Sequence, residues 1–448
     1  MNQLISFGTD GIRGHADNFP FTQEALKAIG TSIALWSIEK YSNPVILIGK
    51  DTRYSGPRVT QNLIEGLKKY NIKIVDGGIL PTPAICQLIK NNKKFHCGIV
   101  ISASHNPAND NGIKIFDAKT SKLQEQDENV IIKNFEKIFQ KESYVFTQDN
   151  SDNKVERWDN AADEYSSFIL QKFNSNFLSG IKIALDCANG ATYSIAPEIF
   201  STLGAKIITT GTIPDGENIN KLCGSLYPQN LIKLVLENNA DIGFAFDGDG
   251  DRLIVVNKNG EIKDGDDMLA LLINLPEFCK TNTIVSTIMS NTGFEKHINS
   301  NQKKLIRTNV GDKYVSFVLE KEKLPLGGEP SGHIIIRDYL PTSDGIFVAL
   351  KILESVIINN NKELITFKKY PQVSINLPVK HKRDLNLKPY SEIISSYEKI
   401  LKNGRLIIRY SGTENILRIM AEAPIIKEAQ DIADNLAKEL QKELSKDF

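Results

Sequence analysis

Short apolar runs alternate along this chain with longer stretches in which apolar residues recur every three or four positions. Val45–Gly49, Ile72–Val75 and Gly98–Ile101 have the length and continuity of buried strands. Ala25/Ile29/Ile33/Trp36 and Val59/Leu63/Leu67 place apolar residues on one helix face. The rhythm returns at Ile181–Asp186, Ala205–Thr210 and Asp241–Phe246, then at Leu253–Asn257, Thr283–Ile288, Lys304–Thr308 and His333–Ile336. Strands alternating with helices predict α/β units with mainly parallel sheets, because a parallel pair needs a crossover connection. Beyond a seam at Asn359–Pro371 the pattern changes to a helix (Ser391–Lys402), a strand (Arg405–Tyr410), a tight loop and a second strand (Ile416–Glu422). A terminal helix follows, expected to bury Ile426, Ala429, Ala433, Leu436 and Leu440. The expected fold is three similar α/β domains with mixed, mainly parallel sheets, then a C-terminal α+β domain on an antiparallel hairpin. A polar linker at Gln148–Lys154 and the later seam put the boundaries at 1–152, 153–255, 256–368 and 369–448.

Composition narrows the class. The 448 residues exceed a single domain of roughly 100–200 residues, and 41% apolar with 24% charged residues is ordinary for a globular protein. Lys+Arg (54) and Asp+Glu (54) cancel, which removes any global electrostatic case for nucleic acid or an anionic membrane. No apolar run reaches the ~18 residues of a membrane span. Met1–Asp10 has no basic stretch followed by an apolar one, so no secretory leader is expected. The cysteines (Cys86, Cys97, Cys187, Cys223, Cys279) are odd in number and scattered, which predicts free thiols in a reducing, cytoplasmic setting.

Function has to be sought in particular loops. The sharpest is Asp247-Gly248-Asp249-Gly250-Asp251-Arg252, between two predicted strands. Three carboxylates at alternate positions, with glycines to curl the backbone, suit one hard cation, and Arg252 beside them suits a phosphate. An EF-hand loop is excluded, since its sixth and twelfth positions would be Arg252 and Lys258. An apolar strand ending in D-x-D also fits a metal-dependent phosphatase with Asp247 as nucleophile. Ser102-Ala103-Ser104-His105-Asn106-Pro107 leaves the strand Gly98–Ile101, where ligands of open α/β sheets sit, and Asn111-Gly112-Ile113-Lys114 follows. Adjacent side chains usually diverge, so Ser104 and His105 alone do not make a catalytic dyad. Gly327-Gly328-Glu329-Pro330-Ser331-Gly332-His333 offers an acid, a hydroxyl and an imidazole to a polyol. Arg409-Tyr410-Ser411-Gly412-Thr413-Glu414-Asn415 is a hairpin turn suited to a phosphate dianion, with Arg418 on the return strand. Gly8-Thr9-Asp10-Gly11-Ile12-Arg13-Gly14 aims an arginine at an anion from an N-terminal turn.

G-T-D-G-I-R-G, S-A-S-H-N-P with N-G-I-K, D-G-D-G-D-R, G-E-P-S-G-H and R-Y-S-G-T-E-N occur in the order of the α-D-phosphohexomutases, from Gly8 to Arg418. Ile213–Asn220 with Cys223-Gly224-Ser225, and Val310-Gly311-Asp312-Lys313-Tyr314, resemble the bacterial phosphoglucosamine mutase branch. The resemblance implies four domains around a central cleft and a soluble phosphosugar enzyme, with a homodimer as its suggested assembly. It implies a phosphoryl group carried on Ser104, and Mg²⁺ held by Asp247, Asp249, Asp251 and that phosphoserine. It places Arg13, Lys114, Arg252 and His333 at the reacting end, with Lys114 or His333 carrying the proton. It assigns Glu329 and Ser331 to sugar hydroxyls, Thr308 and Gly311 to substrate binding, and Arg409, Ser411, Gly412, Thr413 and Arg418 to the non-reacting phosphate. The implied reaction interconverts glucosamine 6-phosphate and glucosamine 1-phosphate through a glucosamine 1,6-bisphosphate, with glucose 1,6-bisphosphate as an alternative activator. Its product would feed UDP-N-acetylglucosamine and cell-wall precursor synthesis. A phosphomannomutase or phosphoglucomutase of the same family is the alternative.

Overall fold

The computed structural model describes residues 4–139, 154–401, 403–411 and 415–446. The chain forms two compact units, one of Met1–Thr281 with Gly311–Ile365, the other of Asn282–Val310 with Thr366–Phe448. Among the described residues, no helix is long and apolar enough to cross a membrane.

The first unit holds two mixed sheets. One has six strands in the order Ile12–His15, Asp110–Asp117, Cys97–Ile101, Val45–Lys50, Lys73–Ile79, Val155–Arg157. Its central strands run parallel, as the periodicity predicts. The outer pair, Ile12–His15 on Asp110–Asp117 on Cys97–Ile101, is antiparallel. Arg13 therefore stands on a strand, where the sequence suggested a turn, and lies opposite Gly112, with Lys114 on the neighbouring strand. The second sheet orders Ile262–Lys263, Leu253–Asn257, Ile242–Phe246, Lys182–Asp186, Lys206–Thr210, parallel in its last three strands. Leu253–Asn257 folds back antiparallel on Ile242–Phe246, so the acidic hexapeptide is a hairpin turn. Leu326–Gly328 pairs antiparallel with Ile334–Ile336, which makes Glu329–His333 a second hairpin loop.

In the second unit Thr283–Thr287 and Lys304–Thr308 run parallel. An antiparallel sheet of Gln372–Pro378, Ile416–Glu422 and Arg405–Tyr410 packs against the helices Tyr390–Ile400 and Ile426–Leu444. The terminal helix buries Ala429, Ala433, Leu436 and Leu440 as expected, but Ile426, in its first turn before the packed face begins, is 55% exposed. These elements make up three α/β domains and a C-terminal α+β domain.

The helices Gln23–Lys40 and Gly56–Leu67 cover one face of the first sheet and meet at two glycines. A Cβ on Gly30 would lie 2.2 Å from the Leu63 carbonyl oxygen, and one on Gly66 2.1 Å from that of Lys27. Thr31 donates to both the Lys27 and Gly66 carbonyls, at 2.9 and 3.2 Å, and fastens the crossing. Gly66→Ala should force the helices apart and cost about 1–3 kcal/mol. Thermal unfolding should show a melting temperature lowered by several degrees, whereas Ala at exposed Gln61 on the same helix should leave it unchanged.

Candidate active site

The serine loop begins where the strand Cys97–Ile101 ends. Ser102 donates to Asp51 Oδ2 (2.6 Å), and its own Oγ accepts the Ser104 N–H (2.8 Å). This short circuit puts Ser104 at φ 53°, a left-handed conformation that costs a serine of order 1–3 kcal/mol. Ser104 is buried, and its hydroxyl donates to Asp247 Oδ2 (2.6 Å) and lies 3.1 Å from His105 Nδ1. The expected divergence of these two neighbouring side chains thus fails, because the left-handed backbone swings them to one side. Burial, then Arg252 and Arg13, push the His105 pKa down to about 3, so its imidazole is neutral.

Asp247, Asp249 and Asp251 are all buried, each offering an oxygen within 4.8 Å of the others. The turn that gathers them uses Gly250 at φ 72°. Gly248 packs so closely that a Cβ there would lie 2.5 Å from the Ser104 carbonyl oxygen. Burial, then repulsion from Asp251 and Asp249, raise the Asp247 pKa to about 8. Asp249 accepts from Thr82 and from Lys114 Nζ (2.7 Å), and Asp251 Oδ2 from Lys114 (3.0 Å). Among the described residues, buried Asp249 Oδ1 has no hydrogen-bond partner, and buried Asp251 Oδ1 faces His333 Nδ1 at 3.7 Å, beyond hydrogen-bond distance. Orphaned hard oxygens on crowded carboxylates fit a divalent cation, which would answer both their repulsion and their desolvation.

Around this centre runs a closed ring of charges. Lys114 reaches Asp10 (3.2 Å), and Asp10 takes Lys122 (2.6 Å), which also takes Asp312 (2.6 Å). Asp312 lies 3.5 Å from His333 Nε2, and His333 Nδ1 lies 3.7 Å from Asp251. Burial opposes the charge on Lys114, but Asp10, Asp249 and Asp251 outweigh it and raise its pKa well above normal. Burial likewise opposes the His333 cation, and Asp251 with Asp312 raises its pKa nonetheless. Arg13 pairs with Asp10 and donates to the Ala103 carbonyl (3.0 Å). Arg252, half-buried, is held charged by Asp247 and Asp251 against its desolvation.

The second hairpin loop attaches directly to the acidic one, since Leu253 N–H donates to the Gly332 carbonyl (3.1 Å). Glu329 is buried, which raises its pKa, and accepts the Gly311 N–H (3.0 Å); Ser331 is exposed. One unit therefore brings together Ser104, the acidic triplet, Lys114, Arg13, Arg252, His333, Glu329, Ser331 and Gly311.

The other unit carries the remaining candidates. Arg409 and Arg418 stand directly opposite on neighbouring strands, and burial with the Arg418 charge lowers the Arg409 pKa. Lys382 donates to the Ser411 carbonyl (2.6 Å) and adds a third cation there. Thr308 ends its strand and donates to the carbonyls of Ser286 (3.3 Å) and Asn309 (2.9 Å). Gly412 and Thr413 lie outside the described residues.

Sequence reasoning missed Asp10, Asp51, Arg53, Thr82, Lys122, Asn220, Asp312 and Lys382 as site residues. Asp10, Asn220 and Asp312 fall inside the motifs quoted above, and Asp51-Thr52-Arg53 leaves the C-terminal end of a parallel strand, which is the signal that could have found it.

Four domain models of phosphoglucomutase/phosphomannomutase match the chain in order. These are α/β/α domain I at residues 4–142, domain II at 163–260, domain III at 264–370 and the C-terminal domain at 375–439. A phosphoglucosamine mutase of Syntrophus aciditrophicus is 39% identical, covering 97% of this chain and 99% of its own length. One of Thermodesulfovibrio yellowstonii is 41% identical over 96% of this chain and 97% of its own. In fold, the chain resembles a phosphoglucomutase/phosphomannomutase family protein of Burkholderia thailandensis, at TM-score 0.75 and 22% identity over 97% of each chain. It also resembles Aspergillus fumigatus N-acetylphosphoglucosamine mutase in complex with GlcNAc-6P and magnesium, at TM-score 0.68 and 16% identity over 99% of this chain and 96% of that one. Motif order, the buried serine–aspartate contact and full-length identity agree that this chain belongs to the α-D-phosphohexomutase family, among the phosphoglucosamine mutases.

Proposed function

We infer that this chain is a phosphoglucosamine mutase that interconverts glucosamine 6-phosphate and glucosamine 1-phosphate by way of Ser104. The observation that carries this reading is the buried Ser104 hydroxyl held 2.6 Å from Asp247, in a chain matched along nearly its whole length by phosphoglucosamine mutases.

In the first half-reaction a sugar hydroxyl bonds to the phosphorus on Ser104 as the Ser104 Oγ–P bond breaks. The products are a glucosamine 1,6-bisphosphate and the free serine. In the second, Ser104 Oγ takes the other phosphoryl group and leaves the isomeric monophosphate. Each attack releases a hydroxyl proton that the departing oxygen takes up, and Lys114 or His333, both ion-paired with Asp251, would carry it once its own proton has been given up. Arg13 and Arg252 set positive charge beside the transferring oxygens, where a phosphoryl transition state spreads its charge. Glu329 is suited to accept hydrogen bonds from sugar hydroxyls. Asp247, Asp249 and Asp251, with an oxygen of the serine's phosphoryl group, would hold Mg²⁺, which supplies charge stabilisation to those oxygens. Arg409, Arg418 and Ser411 would grip the phosphate that is not reacting.

A coupled assay for glucosamine 1-phosphate tests this directly. Turnover should exceed that on mannose or glucose phosphates, and a preference for either would move the chain to a neighbouring activity. Ser104→Ala should lower the rate about a thousandfold or more, as removal of a covalent nucleophile does. Intact-mass analysis should find one phosphoryl group on the native chain and none on that variant. Net phosphate release surviving in Ser104→Ala would instead identify a phosphatase. Stripping divalent cations with a chelator should stop turnover, and added Mg²⁺ should restore it. Arg418→Ala should lose a charge-assisted contact of about 1.5–3 kcal/mol, read as a ~10- to 150-fold lower kcat/KM.

A further inference from the structure

The segment Ile213–Ser225, one of the two that resemble the phosphoglucosamine mutase branch, reaches the serine loop with the side-chain amide of Asn220. Asn220 Nδ2 donates to the carbonyl oxygens of Ser104 (2.8 Å) and Asn106 (3.0 Å). Arg53 grips the same two carbonyls, its Nη2 lying 2.9 Å from each. Its remaining donors go to the carbonyls of Pro107 and Asp110 (3.0 Å) and to Asp51 Oδ2 (2.8 Å). All five N–H groups of this wholly buried guanidinium are thereby used, four of them on the backbone of one loop.

The two grips are themselves joined. Tyr54, next to Arg53, donates its N–H to the Gly216 carbonyl (2.9 Å). Asn220 N–H donates to the Ala188 carbonyl (2.9 Å), Gly224 N–H to Asp186 (2.8 Å), and Ser225 N–H to the Phe246 carbonyl (2.8 Å), one residue before Asp247. The segment that ends in Asn220 is thus tied to the strand that delivers the acidic triplet. Left to itself, Ser104 would relax from φ 53°, and its Oγ would leave Asp247.

We propose that Arg53 and Asn220 are positioning residues of the phosphoryl transfer, which together hold the Ser104 and Asn106 carbonyls so that Ser104 Oγ stays on the acidic triplet in both half-reactions. The proposal rests on the reading that Ser104 carries the phosphoryl group. Neither residue touches the reacting atoms; both act through the backbone of the loop.

Asn220 itself sits at φ 57°, which glycine adopts without cost, so Asn220→Gly removes the amide and spares the fold. In the glucosamine 1-phosphate assay this variant should lose about tenfold to a hundredfold in kcat, the scale of a misplaced reacting group, with KM within about twofold. Its melting temperature should match the native enzyme. Arg53→Lys keeps the charge without the fork and should show the same split between kcat and KM. A kcat retained in Asn220→Gly, or one that falls only in step with the folded fraction seen by circular dichroism, overturns the proposal. Inactivity of the native enzyme on every hexose phosphate would instead overturn the mutase reading, and this inference with it.

Discussion

Removing several carboxylates from water at one place is the constraint on which this structure turns. Asp247, Asp249 and Asp251 share a buried turn, and Asp10 and Asp312 lie a few ångströms further out. Buried anions are costly unless each finds a cation or a donor. Lys114 and Lys122 supply that from the antiparallel edge of the first sheet, while His333 supplies it from the hairpin attached to the second. The antiparallel strand Asp110–Asp117 follows from this demand, because it carries Lys114 back past the end of the strand that delivers the serine.

The serine is presented against its own conformational preference. Polar contacts surround the loop: Ser102 bonded to Asp51, Arg53 filling the hollow beneath, and Gly248 lying against the Ser104 carbonyl. Hydrogen bonds to backbone carbonyls suit this task, since they fix a main-chain path and leave the Ser104 hydroxyl free to meet Asp247. Close-packed glycines at Gly248 and Gly332 let three loops from distant parts of the sequence approach to backbone contact.

Much of this was legible before any coordinates. The central parallel strands announced themselves as continuous apolar runs, and the acidic triplet by its alternate spacing between two of them. The antiparallel edge strands were harder. Asp110–Asp117 mixes Asn111, Gly112 and Lys114 into its length, since Lys114 reaches the acidic triplet, Gly112 makes room for the Ser102 carbonyl and Asn111 bonds Ser55, and its apolar signal is broken accordingly. Gln372–Pro378 does alternate, with Val373, Ile375 and Leu377 against Gln372, Ser374 and Asn376, and a period-two search would have found it. Arg53 and Asn220 were harder to read for another reason: they act on carbonyl oxygens, which every residue possesses, so only a strand end and a motif, and no complementary side chain, point to them.

The facing arginines of the C-terminal hairpin carry a consequence of their own. Arg409 and Arg418 sit across from each other on adjacent strands, where like charges weaken a sheet, and burial together with the Arg418 charge depresses the basicity of Arg409. Were a phosphate dianion to sit between them, as proposed above, it would offset that repulsion, and the event that anchors a ligand would also tighten the sheet that anchors it. The rigidity of this small domain would then follow how much phosphorylated sugar surrounds it.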